Sequence, residues 1–482
     1  MSLLLSTLVY VLTDHVLVAI LLVAALYFTF KTSGVQFTMF GEMCRLLVKS
    51  GKKDNDRRSL ETDGHHTISA FQAFMVSIAS RVGTGNLAGV ATAISLGGPG
   101  AVFWMWVIAL FGAASAFIES TLAQLFKERG NKSFVGGPAY YILKGTGKRW
   151  WAVTFAILIT ITFGLAFNSV QSNTIAYAFS AAFDLPVRIT GCVLTVLTLA
   201  IIWGGIQSIA RFSEWIVPVM AVAYIVLALV IIIANFQDIP KILSLIVQNA
   251  FGVHEAVAGT FGMAISMGIK RGLFSNEAGE GSAPNVAATA SVSHPVKQGL
   301  IQALGVFTDT LVICSCTAFI ILCSGLYNGE ASADGIVLTQ RAIESQIGNR
   351  GLGEIFVSIA IFFFAFTSIV ANYYYGETNL RFIRNDRRLI NLYRLFVGAM
   401  VYAGAMAPLT FVWSFADVTM ALMTICNVLA LFVLGKFALI CLDDYRYQAR
   451  HGKDPVFYSD VIPELGDKIS CWDATRDSYS ED

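Results

Sequence analysis

Apolar runs long enough to cross a bilayer recur along this chain, near 8–31, 67–98, 100–127, 151–182, 188–209, 213–235, 254–292, 297–325, 353–375, 391–407 and 409–442. A spanning helix needs about 20 apolar residues, and lipid offers no partner to exposed backbone N–H and C=O groups. The pattern predicts an all-α membrane protein with about 11 transmembrane helices. Composition agrees: 56% of the 482 residues are hydrophobic, only 13% are charged, and the mean hydropathy is +0.66. A soluble domain carries about 25% charge. The net charge of +1 leaves no electrostatic footprint for nucleic acid. The first run has neither a basic n-region nor a small-residue cleavage site, so it reads as a retained span. Eight cysteines are scattered through the chain, and the Cys314/Cys316 spacing fits neither a zinc nor a redox motif. They read as free thiols used as small hydrophobes.

Lys and Arg collect in alternate loops. Arg45, Lys49, Lys52, Lys53, Arg57 and Arg58 follow the first run, and Lys127, Arg129, Lys132, Lys144, Lys148 and Arg149 the third. Arg211, Lys297, the group Arg381, Arg384, Arg387 and Arg388, and then Arg446, Arg450 and Lys453 continue the alternation. Cationic loops stay in the cytoplasm, which predicts an outside N-terminus and a cytoplasmic C-terminus.

Two runs, 67–98 and 254–292, are too long and too rich in glycine and polar residues to be plain helices. Setting aside the first helix and its loop (1–66) and the tail (443–482), the remainder divides into 67–235 and 254–442. Each part holds five runs and opens on its irregular segment, so the second must be inverted relative to the first. Interrupted segments at matching positions of two inverted halves point to a transporter's binding site. The stretches between 235 and 254 and between 326 and 352 are less apolar and are expected on the surface.

In the first irregular segment Gly83, Thr84, Gly85 and Asn86 interrupt the apolar run. Glycine weakens a helix interior by about 1 kcal/mol against alanine, and in lipid each freed backbone group needs a partner. If that partner is a ligand, carbonyls face a cation and N–H groups a carboxylate. The competing reading is close helix packing, for which Gly85 and Gly89 have the spacing. Arg81 is costly at this depth, and Glu119 in the next run is a candidate partner, giving a structural or gating ion pair. In the second segment an apolar, glycine-dotted stretch precedes Lys270, Arg271, Asn276, Glu277 and Glu280. Ser266, Met267 and Gly268 are the candidates for its unwound turn. Arg271, Asn276 and Glu277 are expected nearer the cytoplasm as an inner gate, although a plain loop between short helices would carry the same residues.

Thr367 and Ser368 sit at membrane depth, where hydroxyls either ligate a hard cation or bond back to their own helix. Gln171 and Asn173 are neighbouring amides in one run, suited to a polar lining or to interhelical bonds. Asp309 and Asp417 are intramembrane carboxylates open to a proton-carrying or a helix-capping role. No nucleophile elbow, zinc-protease pair or phosphate-binding loop is present in the sequence, which disfavours an enzyme or an ATP-driven pump.

Three strings, RVGTGNLAGVATAISLGGPGAVFWMW (81–106), GGPAYYI (136–142) and RGLFSNEAGEGSAP (271–284), resemble the alanine or glycine:cation symporters. That family lies in the leucine-transporter-fold superfamily. The resemblance covers nearly the whole chain and implies a five-plus-five inverted-repeat core preceded by one extra helix. It implies that Gly83, Thr84, Gly85 and Asn86 form a G-x-G-N turn that binds the substrate carboxylate, with Gln171 beside it. It also implies a sodium site from the carbonyls of Ala79 and Val82 and the hydroxyls of Thr367 and Ser368. The second broken helix is expected to meet the substrate ammonium near Ser266, Met267 and Gly268. There the chain departs from the superfamily by lacking its aromatic-glycine pattern. The implied activity is sodium-coupled import of a small neutral amino acid (alanine, glycine or serine) across a bacterial or archaeal cytoplasmic membrane. Sodium is co-transported, with no organic cofactor and no obligatory protein partner. A proton-coupled carrier using Asp309 or Glu119, and an uncoupled channel or receptor on the same scaffold, are the alternatives.

Overall fold

The computed structural model describes residues 7, 10–51, 68–130, 133–252, 260–327, 335–348 and 351–472. Lys52, Lys53, Arg57, Arg58, the 52–66 loop, Lys132, and residues 254–259 at the start of the second irregular segment lie outside the described residues.

The described chain is built almost wholly of helices. The main ones are α1 (Val11–Lys31), α2 (Phe40–Gly51), α3 (Ala70–Arg81), α4 (Val90–Gly97, led by a π turn at Gly85–Gly89), α5 (Gly100–Leu125), α6 (Pro138–Thr146), α7 (Arg149–Phe183), α8 (Val187–Ile202) and α9 (Gly205–Ala234). There follow α10 (Ile239–Ala250), α11 (Thr260–Asn276), α12 (Pro284–Ala287), α13 (Pro295–Cys323), α14 (Gly335–Ile347), α15 (Leu352–Ile383), α16 (Arg387–Met406) and α17 (Leu409–Arg450). One two-residue hairpin, β1 (Glu128–Arg129) with β2 (Phe134–Val135), follows α5. Among the described residues eight helices are long and apolar enough to span a membrane; α8 is shorter, at 16 residues.

Local chemistry explains where the helices begin. Ser69 and Gln72 form a reciprocal capping box that starts α3. The His294 ring accepts from the Val296 N–H and Pro295 opens α13; Asp386 accepts from the Arg388 N–H at the head of α16.

Long helices from the two parts of the chain interleave. α5 lies along α11 and α13, and α7 along α15 and α16, so the first part buries its long helices against the second. A short helix, α6, stands between α5 and α7, and another, α14, between α13 and α15. The surface position expected for 326–352 is corrected for α14. Thr339 donates to the Leu87 carbonyl at 3.0 Å, and Gln340 to the Ala178 carbonyl at 3.2 Å. Its buried face, with Ile336, Leu338 and Ile343, caps the first broken segment.

Two outer pieces grip this core. Asp14 of α1 pairs with Lys270 of α11 at 2.7 Å and also accepts from Ser266. On the opposite side the tail folds back. Asp454 pairs with Lys297 (2.7 Å) and Lys49 (2.9 Å), and the Trp472 indole donates to the Gln124 carbonyl at 3.2 Å. The buried ammonium of Lys127 sits over the rings of Phe134 (4.2 Å) and Trp472 (4.4 Å).

Candidate functional site

α3 stops at Arg81, and the chain regains helical form only at Gly85. Side chains occupy the freed donors. The Gly83 N–H donates to Asn86 Oδ1 at 2.8 Å, and the Thr84 N–H to Gln171 Oε1 at 2.9 Å. The Thr84 hydroxyl also donates to Gln171. Thus Gly83, Thr84, Asn86 and Gln171 form one buried cluster, with Gly85 next to it. A Cβ on Gly85 would meet the Cα of Ser275 at 3.0 Å, so glycine lets α11 approach the turn.

Of the four residues expected to hold a cation, Ala79, Val82 and Ser368 come together. The Ser368 hydroxyl lies 2.9 Å from the Ala79 carbonyl and 3.5 Å from that of Val82. The Thr367 hydroxyl donates to Phe364 in its own helix at 2.9 Å. Both hydroxyl groups are fully buried. Two carbonyls at the end of α3 and the Ser368 hydroxyl of α15 bring three oxygens together, the ligand type that hard cations take.

The second break lies elsewhere than expected. α11 continues without interruption through Ser266, Met267 and Gly268 to Asn276. Ser266 bonds to Asp14, while Gly268 packs so closely on the Ala101 carbonyl that a Cβ would collide with it. Gly268 therefore serves helix packing. The chain turns instead at Glu277 (φ 56°), Gly279 (φ 87°) and Gly281 (φ 85°), a backbone shape suited to glycine. Glu119 holds the turn: its carboxylate accepts from the N–H groups of Gly279 (3.2 Å) and Gly281 (3.0 Å) and from the Asn427 amide (3.0 Å). The Arg81–Glu119 pair is therefore corrected, because the carboxylate is taken up by the turn. Arg81 donates to the Gln302 carbonyl at 3.0 Å.

Glu277 faces the first broken segment. One oxygen lies 2.5 Å from the Ser80 hydroxyl, and the other accepts from Ser282 at 2.5 Å. Asn276 caps the turn through the Ala278 N–H and donates to Thr310 at 3.2 Å. Arg271 is not on the tail side of the break. It pairs with Asp417 at 2.6 Å and stacks on Trp413, 4.2 Å from the ring centroid. Asp417 precedes Asn427, the residue level with the turn, by ten positions, about 15 Å along α17 and away from the tail.

Residues whose role the sequence left open, and others it did not single out, complete the site. The Asp309 carboxylate accepts from Asn86 (2.6 Å), Ser275 (2.8 Å) and Thr310 (2.9 Å), joining the two broken segments. Phe274 packs against Phe167 (centroids 4.5 Å apart) and Trp413 (4.9 Å), so an aromatic layer lies between the first break and the Arg271–Asp417 pair. Asn173 belongs to interhelical bonding, donating to the carbonyls of Gly404 and Ala407, both at 2.8 Å.

Residues 1–459 match the family model described as the sodium:alanine symporter family. The Bacillus subtilis protein "Probable sodium/glutamine symporter GlnT" is 48% identical over 471 residues, covering 97% of this chain and 96% of its own. The "Amino-acid carrier protein AlsT" of the same organism is 50% identical over 446 residues, 92% of each chain. A "Sodium/proton-dependent alanine carrier protein" of a Bacillus species is 38% identical over 405 residues, 81% of this chain and 91% of its own. Among solved structures, MhsT in complex with L-phenylalanine superposes with a TM-score of 0.56 at 13% identity, covering 84% of this chain and 96% of MhsT. A manganese transporter from Eremococcus coleocola superposes with a TM-score of 0.54 at 13% identity, covering 83% of both. These two structures share the fold, which is that of the leucine transporter.

Proposed function

Because this chain belongs to the sodium:alanine symporter family, and is thus a membrane-embedded amino-acid symporter and not an enzyme, we propose that it imports small neutral amino acids together with sodium. Alanine, glycine and serine are the proposed substrates. One observation carries the reading: Ser368 of α15 stands against the Ala79 and Val82 carbonyls at the lip of the first break. A cation there would tie α15 to the turn that meets the substrate. The substrate carboxylate takes the N–H groups of Thr84 and Gly85, displacing the Gln171 amide from Thr84. Asn86, held by Asp309, keeps the turn in shape. Ser275 and Phe274 take over the role expected of Ser266, Met267 and Gly268.

The halves 67–235 and 254–442 then rock about this site, with 1–66 and 443–482 flanking them. The N-terminus lies outside and the tail in the cytoplasm of a bacterial or archaeal plasma membrane. Arg271 and Asp417 close the outer path, while Arg81, Glu119 and Glu277 order the inner one. One sodium moving down about 100 mV supplies about 2.3 kcal/mol, and a tenfold gradient about 1.4 kcal/mol more. Together these support a roughly several-hundredfold accumulation.

Uptake of labelled alanine into proteoliposomes tests the proposal. Accumulation with an inward sodium gradient, abolished when potassium replaces sodium, is expected. Equal uptake in both sinks sodium coupling. A second reading, proton coupling through Asp309, draws on the buried carboxylate and on the sodium/proton-dependent relative. It predicts uptake driven by a pH gradient without sodium. Competition by glycine, serine and glutamine ranks the substrates, glutamine being included because of GlnT.

A further inference from the structure

We propose that a cavity on the tail side of the molecule binds a phosphate-bearing anion, either the headgroup of an acidic phospholipid or free phosphate. The cavity measures about 490 Å³ and lies between the α8–α9 turn, the end of α15 and the start of α16. Arg129, Arg381 and Arg394 line it with Trp203 and Glu377. A second cavity of about 420 Å³ shares Trp203, Arg381 and Arg394 and adds Arg387. Both volumes fall in the range of roughly 300–1,000 Å³ usual for small-ligand sites.

Four guanidinium groups and one carboxylate leave this region three positive charges in excess. Two of the arginines, Arg381 and Arg394, are held in place by neighbouring side chains. Arg394 donates to the Tyr373 hydroxyl at 2.8 Å and to Asn391 at 3.2 Å, and its head lies 3.7 Å from Glu377. Arg381 pairs with Glu377 at 2.5 Å and reaches Asn385 at 3.2 Å. A guanidinium carries five N–H donors, and the hydrogen bonds described take three on Arg381 and two on Arg394. The rest suit a group with several anionic oxygens, which arginine forks bind in bidentate fashion.

The position favours a lipid as the source. Trp203 is 49% exposed at a turn joining two apolar helices, where amphipathic rings sit at headgroup level. Basic pockets between helix ends on the Lys/Arg-rich side of a membrane protein hold acidic headgroups. The inference is independent of which amino acid is carried.

The test uses the full chain, purified in an uncharged detergent and stripped of lipid. Its unfolding midpoint is followed as phosphatidylglycerol, phosphatidylcholine or inorganic phosphate is added. A saturable rise with phosphatidylglycerol and none with phosphatidylcholine is expected. Arg387→Gln, which breaks no ion pair among the described residues, and the double variant Arg381→Gln/Arg387→Gln should raise the half-saturating concentration by about tenfold or more. Lysine at both positions should recover part of the affinity, and Arg211→Gln, outside both cavities, should behave like the parent. Saturation by phosphate with no further gain from lipid keeps the site and names the soluble anion as its source. No saturable rise with either anion, or the same loss in Arg211→Gln, overturns the proposal. If the double variant fails to fold, Arg387→Gln alone decides.

Discussion

The hydroxyl of Ser368 stands where a Cβ on Gly83 would have to go, while holding the Ala79 carbonyl at 2.9 Å. The same added atom would also meet the Gln171 amide oxygen at 2.9 Å. Gly83→Ala must therefore displace either the cation side or the substrate side of the turn. The variant is expected to reach the membrane in normal amount and to lose nearly all sodium-driven alanine uptake. Near-parental uptake by Gly83→Ala would mean that the turn is not the site.

Removing a hydroxyl at Ser368 or Thr367 should raise the sodium concentration that half-saturates uptake by about tenfold, one lost ligand costing about 1.4 kcal/mol. The maximal rate at saturating sodium should change much less for Thr367→Ala, whose hydroxyl bonds only to its own helix at Phe364. A sodium titration of uptake at fixed alanine separates the two. Unchanged half-saturation in both variants would remove α15 from the cation site.

Glu119 and Glu280 are both fully buried carboxylates, yet they differ in their bonds. Glu119 accepts from two backbone N–H groups and an amide, whereas neither oxygen of Glu280 has a partner among the described residues. Glu119→Ala leaves those donors orphaned and should destabilise the fold by about 1–3 kcal/mol for each donor left unpaired. Glu280→Gln removes a potential charge that nothing bonds, so its unfolding midpoint should equal or exceed the parent's. Fluorescence-detected thermal unfolding of the two variants checks the order, and a lower midpoint for Glu280→Gln contradicts it.

The tail latch carries its own pH signature. Burial alone would raise the Asp454 carboxyl, but hydrogen bonds from Lys297 and Lys49 outweigh it and hold the group below its ordinary value of 3.8. A depressed folded value means that the latch has its full strength above about pH 4 and loses it as pH falls through the depressed value. Protease cleavage within 455–472 should therefore stay constant from neutral pH down to the ordinary carboxylate range. Asp454→Asn should speed cleavage already at pH 7. Equal rates for parent and variant at pH 7 would show that Asp454 does not hold the tail.

The first break was legible because its polar residues answer for its own geometry: Asn86 caps the Gly83 N–H three residues away. The second was misplaced by about ten residues for a physical reason. Gly268 and Gly272 resemble hinge glycines in sequence, but they face α5, where a Cβ on Gly272 would lie 2.8 Å from Ile108. A glycine needed for packing and a glycine needed for a positive φ are the same letter. Glu119, Ser275 and Asp309 were equally hard to assign, since each acts on an element between 34 and more than 150 residues away in the chain. The alternating Lys and Arg and the run lengths gave the order of elements. They could not reveal that α14, poor in apolar residues, is drawn inward by Thr339 and Gln340.

The bond between Asp14 and Lys270 bears on how this protein can be taken apart. α1 precedes the interleaved core and supplies none of the proposed substrate or cation ligands, so it invites trimming in any minimal version. Yet it carries the carboxylate that neutralises a lysine only 9% exposed on α11, one position before Arg271. Trimming α1 would leave that ammonium facing lipid and free Ser266 as well. The rest of the bundle is for this reason not a portable module: a chimera that exchanges α1 must exchange Lys270 with it.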